Sequence, residues 1–150
     1  MYALEPNAAI FQLAQQRIDA APFVVEHITA SAEQLPFVND QLQHVVSTWT
    51  LCSIPDLEQS LREIYRVLRP GGTLHLVEHV LNRHNLNIQR LQHLLTPIQK
   101  KVADGCHLNR DIEIALLETG FELGEVQYID VAGIPSLAQR MLLARVHKPR

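Results

Sequence analysis

Apolar residues recur along the chain with two spacings, and these predict alternating strands and helices. Short runs rich in β-branched and aromatic residues predict strands. Apolar residues at every third or fourth position predict helices. The predicted strands cover residues 2–4, 23–29, 44–50, 73–79, 121–130 and 141–147. The predicted helices cover residues 10–18, 57–68 and 86–102, and a short fourth helix starts at residue 112 and is closed by Gly120.

Several helix ends carry signals of their own. Asp56 and Gln59 have the spacing of a capping box, which predicts that Asp56 is an N-cap. The segment Arg69-Pro70-Gly71-Gly72 predicts a sharp stop, because proline cannot continue a helix and glycine accepts left-handed backbone angles. Pro97 predicts a kink in its helix or a division into two helices. Asn109 is expected to cap the short helix that follows it.

The predicted order is β-α-β-β-α-β-(helical insert)-α-β-β, within a single domain over residues 1–150. This alternation predicts an α/β fold with a mostly parallel sheet and helices on both of its faces. Ligands of such sheets bind outside the carboxyl ends of the strands. The insert at about residues 86–103 is expected to cap a substrate pocket. A plain cover for the sheet and contact with a membrane surface are the alternatives.

Composition and charge exclude several classes of function. With 13 basic and 16 acidic residues, the chain has a net charge of -3, which argues against binding nucleic acid by neutralising phosphates. No apolar run approaches the roughly 20 residues of a membrane span. Cys52 and Cys106 are far apart and form no CxxC pair or disulfide framework, so we expect a reducing, cytoplasmic compartment.

Three predicted strand ends carry candidate ligand-binding residues. Glu5 follows the first strand, where an acid can accept hydrogen bonds from ribose hydroxyls or can simply favour the helix dipole. Small residues in the segment 30–37 would let a flat aromatic ring approach the backbone. Small polar residues in the segment 48–53 have the size to line a cleft. Trp49 within it is expected to be a core or rim aromatic rather than a stacking residue.

Two histidines are candidates for a general base. His79 ends the fourth predicted strand and His107 lies in the loop after the insert, so either can face a substrate. Cys106 lies beside His107, but without a third orienting residue it is expected to be an ordinary loop cysteine. His75 and His79 are four residues apart on a predicted strand, which lacks the helical geometry of a zinc pair, so no metal site is expected.

Several segments resemble the class I S-adenosylmethionine-dependent methyltransferases, particularly the branch that methylates small molecules such as quinones and phospholipids. Residues 66–72, Arg-Val-Leu-Arg-Pro-Gly-Gly, are the most specific of these segments. Residues 4–7, Leu-Glu-Pro-Asn, resemble the family's acidic segment, and residues 32–37, Ala-Glu-Gln-Leu-Pro-Phe, resemble its segment beside the adenine. A closer similarity to thiol methyltransferases lies in residues 50–53, 78–80 and 104–108.

The resemblance implies a Rossmann-like methyltransferase sheet with an antiparallel C-terminal strand. It implies S-adenosylmethionine as the cofactor and a small-molecule acceptor, with a thiol, a phenol or quinone, and a lipid headgroup all open. His79 and His107 are then the candidates for the base that a thiol or phenol acceptor requires. The cofactor-binding residues that the resemblance implies are Glu5, Pro6, Ser31, Ala32, Glu33, Thr48 and Thr50.

The sequence departs from the family in two places. The family's first strand, its glycine-rich loop and the helix after that loop have no counterpart, so we expect a methyltransferase truncated before the loop. Ser31 stands where the family usually has an aspartate that bonds the adenine amine. Without the first strand, apolar sheet edges would be exposed, so we expect low stability and leave self-association open.

Two other functions compete with methyl transfer. A non-catalytic binding or regulatory protein would keep the sheet without the chemistry. A nicotinamide-dependent oxidoreductase shares the acid after a strand, but it explains neither residues 69–72 nor the two closing strands. Peripheral contact with a membrane stays open, whereas nucleic acid is not expected as a partner.

Overall fold

The computed structural model describes residues 1–150 and contains the predicted series of six strands and four helices. In chain order the elements are β1 (Tyr2–Leu4), α1 (Ala8–Asp19), β2 (Glu26–Ile28), β3 (Leu42–Thr48), α2 (Leu57–Val67), β4 (Leu68–His79), α3 (Leu86–Val102), α4 (Ile112–Thr119), β5 (Glu122–Asp130) and β6 (Arg140–His147).

The strands form two separate sheets. β1 pairs with β2 in a parallel two-stranded sheet. The second sheet has the order β3-β4-β6-β5, in which β3 and β4 are parallel. β6 is antiparallel to both of its neighbours and is therefore the only reversed strand of the four. This confirms the predicted Rossmann-like α/β fold with an antiparallel C-terminal strand.

β4 is longer than the sequence predicts, because pairing with the C-terminal tail extends it. α2 ends at Val67, and the strand begins at the next residue. The N–H of Gly71 donates to the carbonyl of Lys148 at 2.9 Å, and the N–H of Lys148 donates to the carbonyl of Gly72 at 3.0 Å. Gly71 has a φ of 75°, which explains the glycine there. The segment 69–72 therefore ends the helix as predicted but lies within the following strand.

The predicted division into two helices at Pro97 and the predicted cap at Asn109 are both wrong. α3 is one continuous helix that contains Pro97, which leaves the alternative prediction of a kink. His93, whose carbonyl loses its helical partner at the proline, is exposed, so water can satisfy that carbonyl. Asp111, rather than Asn109, caps α4 by accepting from the N–H of Ile114 at 3.3 Å. Asn109 instead contacts the ring of His93.

The N-cap of α2 is confirmed, but its capping box is completed by a distant residue. The Asp56 carboxylate accepts from the N–H of Gln59 at 2.9 Å. The side chain of Gln59 does not return to Asp56 and donates to the carbonyl of Glu33. The Glu33 carboxylate accepts from the N–H of Asp56 at 3.3 Å. The loop after β2 is thereby attached to the start of α2.

The main core lies between one face of the four-stranded sheet and the helices α2 and α4. Leu61 and Leu116 supply the helical side of this core, and Leu74 and Leu142 supply the sheet side. On the opposite face Val46 is 70% exposed, so that face lacks the helical cover that the sequence predicts. None of the four helices is both long enough and apolar enough to cross a bilayer.

Candidate functional site

The loop that follows β3 lies between two hollows. We call residues 49–53 the exit loop. It begins with Trp49, which has a φ of 56° and donates its N–H to the carbonyl of Val77 at 3.0 Å. The N–H of Ser53 then donates to the carbonyl of Thr50 at 2.9 Å. These bonds form a tight turn that sends Thr50 and Leu51 to one side and Trp49 and Cys52 to the other.

One hollow is a groove of about 590 Å³ that lies between β1 and β3. We call it the sheet groove. Each of its walls is a strand with a free edge, because β1 pairs only with β2 and β3 pairs only with β4. Thr50 and Leu51 of the exit loop and Ala32 of the loop after β2 also line it. The remaining lining residues outside the two strands are Met1, Leu35, Phe37, Ile54 and Ile64. Of its 16 lining residues 13 are hydrophobic, so the groove is an apolar slot.

The second hollow is a pocket of about 490 Å³ that lies beneath α3. We call it the α3 pocket. The exit loop contributes Trp49 and Cys52, and His79 enters from the end of β4. Its remaining lining residues come from α3, from the loop after α3 and from the connection between β5 and β6: Leu95, Ile98, Gln99, Ala103, Cys106, Leu108, Ile134, Pro135, Leu137 and Ala138, together with Ser53 of the exit loop.

Glu78 holds the exit loop between the two hollows. It is fully buried, and its carboxylate accepts from the hydroxyl of Ser47 at 2.8 Å, from the N–H of Thr50 at 3.1 Å and from the N–H of Cys52 at 3.2 Å. A buried carboxylate is tolerated when several donors surround it. The sequence analysis missed this role, although a charged residue near the carboxyl end of a strand was a usable signal.

Glu5 and Pro6 lie at the exit of β1, where the sequence places them. One carboxylate oxygen of Glu5 accepts from the N–H of Asn7 at 2.8 Å, and Asn7 is the N-cap of α1. Glu5 therefore supports the start of a helix, as the helix-dipole interpretation expects. The residue lines a separate apolar hollow under α1 and is not part of the lining of the sheet groove.

The other candidate cofactor residues divide between the sheet groove and its surroundings. Ala32 and Thr50 line the groove. Ser31 donates to Glu33 within the same loop, and neither residue is part of the groove lining. Thr48 lies in a shallow hollow on the opposite face of the sheet. The structure thus brings two of the seven candidates into one hollow.

Two segments that carry the family resemblance contact each other. Arg66 of α2 donates to the carbonyl of Phe37 at 2.8 Å and to the carbonyl of Leu35 at 3.1 Å. Glu63 accepts from the N–H of Leu35 at 2.8 Å, and the neighbouring guanidinium of Arg66 lowers the pKa of Glu63. The pair fixes the loop after β2 to α2, and the sequence analysis did not foresee this contact.

The two candidate histidines lie in different places. His79 is 1% exposed and lines the α3 pocket, where its Nδ1 lies 3.6 Å from the Sγ of Cys106. Its Nε2 is buried without a hydrogen-bond partner. His107 lines a separate polar hollow with Lys100 and Lys101. Burial, followed by the nearby cations Arg110 and Lys100, lowers the pKa of His107.

Cys52 and Cys106 approach each other beside His79, although the sequence separates them by more than 50 residues. The hydrogen bond from the thiol of Cys52 lowers the pKa of Cys106 to about 7. The same hydrogen bond and burial raise the pKa of Cys52. The sequence analysis treated Cys106 as an ordinary loop residue, because the strands and loops that bring the group together are distant along the chain.

The chain is similar in sequence to a protein family and to several curated proteins. Residues 1–76 match the family described as a methyltransferase domain. Thiol S-methyltransferase TMT1A of Homo sapiens is 36% identical over 103 residues, which cover 68% of this chain and 42% of that protein. Ubiquinone/menaquinone biosynthesis C-methyltransferase UbiE of Klebsiella pneumoniae is 41% identical over 54 residues, 36% of this chain and 22% of that protein. The chain thus spans less than half the length of these curated relatives.

Solved structures extend the similarity to nearly the whole chain. A putative methyltransferase from Bacillus halodurans matches with a TM-score of 0.80 and 19% identity, covering 99% of this chain and 83% of that one. A SAM-dependent methyltransferase from Methanosarcina mazei matches with a TM-score of 0.74 and 19% identity, covering 99% and 81%. At these identities the likeness shows a shared fold. With the family match over 76 of its 150 residues, the chain belongs to the methyltransferase domain family.

Proposed function

We propose that the chain takes part in methyl transfer from S-adenosylmethionine to a small molecule that carries a thiol. The observation that carries this proposal is the position of the exit loop between two hollows. Thr50 and Leu51 face the sheet groove, and Trp49 and Cys52 face the α3 pocket. A donor in one hollow and an acceptor in the other would both lie against the exit loop, and the sulfonium methyl and the acceptor sulfur would have to meet in line beside it.

The sheet groove suits the adenosine half of the donor. Its volume lies in the usual range of small-molecule sites, about 300–1,000 Å³, and its lining is mostly apolar. Ala32 and Thr50 line the groove, and Glu5, Pro6, Ser31 and Glu33, which follow β1 and β2, are the other residues proposed for the donor. Thr48 faces the opposite side of the sheet and is not proposed for it. The 150 residues contain no Gly-x-Gly segment, so they offer no glycine-rich turn to the amino-acid end of the donor.

In methyl transfer the main task of the protein is to align the acceptor with the methyl group of the donor. S-adenosylmethionine carries its methyl group on a sulfonium, whose sulfur leaves without needing a proton. Correct orientation of two reactants can supply about 7–11 kcal/mol of a barrier. Glu78 serves this alignment, because its bonds to Thr50 and Cys52 fix the backbone between the two hollows.

The α3 pocket favours a thiol on an apolar body. Ten of its 14 lining residues are hydrophobic. These ten include Cys52 and Cys106, whose thiols lie beside the imidazole of His79. A thiol acceptor must lose a proton before it attacks. Of the two candidate histidines, His79 lines this pocket. We therefore propose His79, and not His107, as the group that helps the acceptor to lose its proton. The thiol S-methyltransferase relative supports this acceptor over a quinone or a lipid headgroup.

Calorimetric titration of the purified chain with S-adenosylmethionine tests the donor site. We expect binding that weakens about tenfold, or 1.4 kcal/mol, in Glu5→Gln, because the charge at the β1 exit is lost while the bond to Asn7 can persist. Glu26→Gln is the matched control, since Glu26 is an exposed acid at the opposite end of the same small sheet. Folding of each variant is checked by circular dichroism.

The acceptor is tested with a donor carrying a labelled methyl group and a panel of small thiols, phenols and phospholipids. We expect label on sulfur. A folded chain that produces no heat with the donor would overturn the proposal and favour the binding or regulatory alternative. Label appearing on phenols or phospholipids alone would overturn the choice of a thiol acceptor.

A further inference from the structure

Three potential metal ligands converge at the base of the α3 pocket. Cys52 comes from the exit loop, His79 is the last residue of β4, and Cys106 lies in the loop between α3 and α4. Their ligand atoms all lie within 4.8 Å of one another. Cys52 and His79 are each 1% exposed. Two sulfurs and an imidazole nitrogen therefore point at one small volume from three separate segments.

The spacing fits a tetrahedral ion. With Zn–S of about 2.3 Å and Zn–N of about 2.0–2.1 Å, a tetrahedral centre sets the sulfur-to-nitrogen edge at about 3.6 Å. The Sγ of Cys106 lies 3.6 Å from the Nδ1 of His79. Two thiolates and one neutral imidazole are ligands that Zn²⁺ prefers, and three protein ligands with one open position are typical of zinc in a substrate site.

His79 supplies a second, independent observation. Its Nε2 is buried without any partner, and its Nδ1 faces only a sulfur. A buried imidazole left in this condition costs free energy, because it has given up its bonds to water. Coordination of a cation by Nδ1 would offset the part of that cost that belongs to Nδ1, while Nε2 would keep no partner. A disulfide between Cys52 and Cys106 would account for the sulfurs but would leave both nitrogens of the imidazole without a partner.

We infer that Cys52, His79 and Cys106 form a site for Zn²⁺ whose fourth position opens into the α3 pocket. On binding, each of the two thiols releases its proton to solvent, and two thiolates balance the charge of the ion. The neutral result suits a pocket lined largely by apolar side chains. The sequence predicts no metal site, since the spaced pair His75 and His79 lies on a strand. The structure places His75 against His44 instead.

The open position gives the site a role in the function proposed above, on which this step rests. A thiol that coordinates zinc is deprotonated by it. An acceptor thiol that binds the ion would therefore become a thiolate at neutral pH, with its proton passing to solvent. His79 then acts on the acceptor as a ligand of the ion.

The zinc site is tested in the absence of the methyl donor and the acceptor. The reduced, chelator-treated chain is titrated with Co²⁺, and we expect the visible bands of a tetrahedral ion, a thiolate-to-cobalt charge-transfer band and displacement by one Zn²⁺ per chain. The ligand variants Cys52→Ser, Cys106→Ser and His79→Gln should each weaken Zn²⁺ binding at least about 100-fold. His84→Ala, at an exposed histidine on the loop before α3, is the matched control and should bind as the parent does.

A cobalt spectrum without the charge-transfer band, or unchanged affinity in a folded Cys52→Ser variant, would overturn the inference. If a ligand variant does not fold, alkylation of the parent chain decides the matter. Zn²⁺ should then protect the partly exposed Cys106 from iodoacetamide, and alkylation of Cys106 at the same rate with and without Zn²⁺ would contradict the site.

The acceptor step has its own readout. Addition of a small thiol should shift the visible bands of the cobalt-loaded chain, and the absence of a shift would show that the ion does not meet the acceptor. Zinc binding in a chain that fails to bind S-adenosylmethionine would sustain the metal site while removing the proposed methyl transfer, so the two failures can be told apart.

Discussion

Residues 1–41 and residues 42–150 differ sharply in how they are packed. None of the first 41 residues is buried, and all 25 buried residues lie between Ser47 and Val146. The first region contains a parallel pair of three-residue strands, β1 and β2, whereas the second contains a four-stranded sheet and the main core. Isolated two-stranded sheets are marginal in water. The second region therefore carries most of the stability of the chain.

This difference divides the candidate site. The α3 pocket lies entirely within the second region and rests on its own core. The sheet groove has one wall in each region, and both walls are strands with an unpaired edge. Free apolar edges favour association with other strands. The acceptor side is thus built by packing within one region, while the donor side depends on how the first region is held.

The largest expected effect comes from the core of the second region. Leu142 is fully buried in β6, so Leu142→Ala should lower the free energy of unfolding by about 2–5 kcal/mol. Leu13 in α1 is 84% exposed, and Leu13→Ala should change it by no more than about 0.5 kcal/mol. Urea unfolding followed by circular dichroism measures both. Equal losses in the two variants would contradict the division into a strong and a weak region.

Local patterns predicted the fold well, because alternating spacings follow from side-chain periodicity along each element. The N-cap at Asp56 and the αL residue Gly120 at the end of α4 were both predictable from neighbouring residues. The extension of β4 was not, since it depends on Lys148, far along the chain. Local sequence also gave no warning that water could satisfy the backbone around Pro97.

The candidate site was less predictable than the fold, because its residues come from segments that are far apart along the chain. Residues at strand exits could be proposed one by one, as with Glu5 and Thr50. The group of Cys52, His79 and Cys106 arises only when three segments meet in space. The hydrogen bonds of Glu78 likewise connect two strands and a loop, and no residue spacing in the sequence predicts them.

The second-largest expected effect concerns Glu78, which connects the core to the exit loop. Three donors face the buried carboxylate of Glu78. Glu78→Gln replaces one acceptor oxygen by an NH₂ group, which turns one of these contacts into donor against donor. The free energy of unfolding should fall by about 1.5–3 kcal/mol, the usual range for a bond to a charged group. Urea unfolding measures the loss.

Glu58→Gln is the matched control for that change. The side chain of Glu58 is 78% exposed and pairs with Arg62 at 3.7 Å, so its replacement should alter stability by no more than about 0.5 kcal/mol. If Glu78→Gln were as harmless as the control, the exit loop would not depend on the buried carboxylate. That result would contradict the proposal that Glu78 holds the exit loop between the two hollows.

The smallest expected effect concerns the attachment of the first region to the second. Glu63 holds the N–H of Leu35, and Arg66 lowers the pKa of Glu63 below its ordinary value of 4.5. A carboxyl group with a lowered pKa stabilises the folded chain fully above its ordinary pKa. That contribution disappears as the pH falls through the lower folded-state pKa. Glu63→Gln should therefore be less stable than the parent near pH 7, by less than about 1 kcal/mol.

Urea midpoints of parent and variant, compared from neutral pH downward, check the sign. The gap between them should stay constant above about pH 4.5 and close at lower pH, because the parent then also carries an uncharged side chain at position 63. Glu118→Gln, at an exposed acid of α4, should show no such gap. A gap that persists in acid would mean that the amide disturbs packing, and that charge on Glu63 does not attach the loop after β2 to α2.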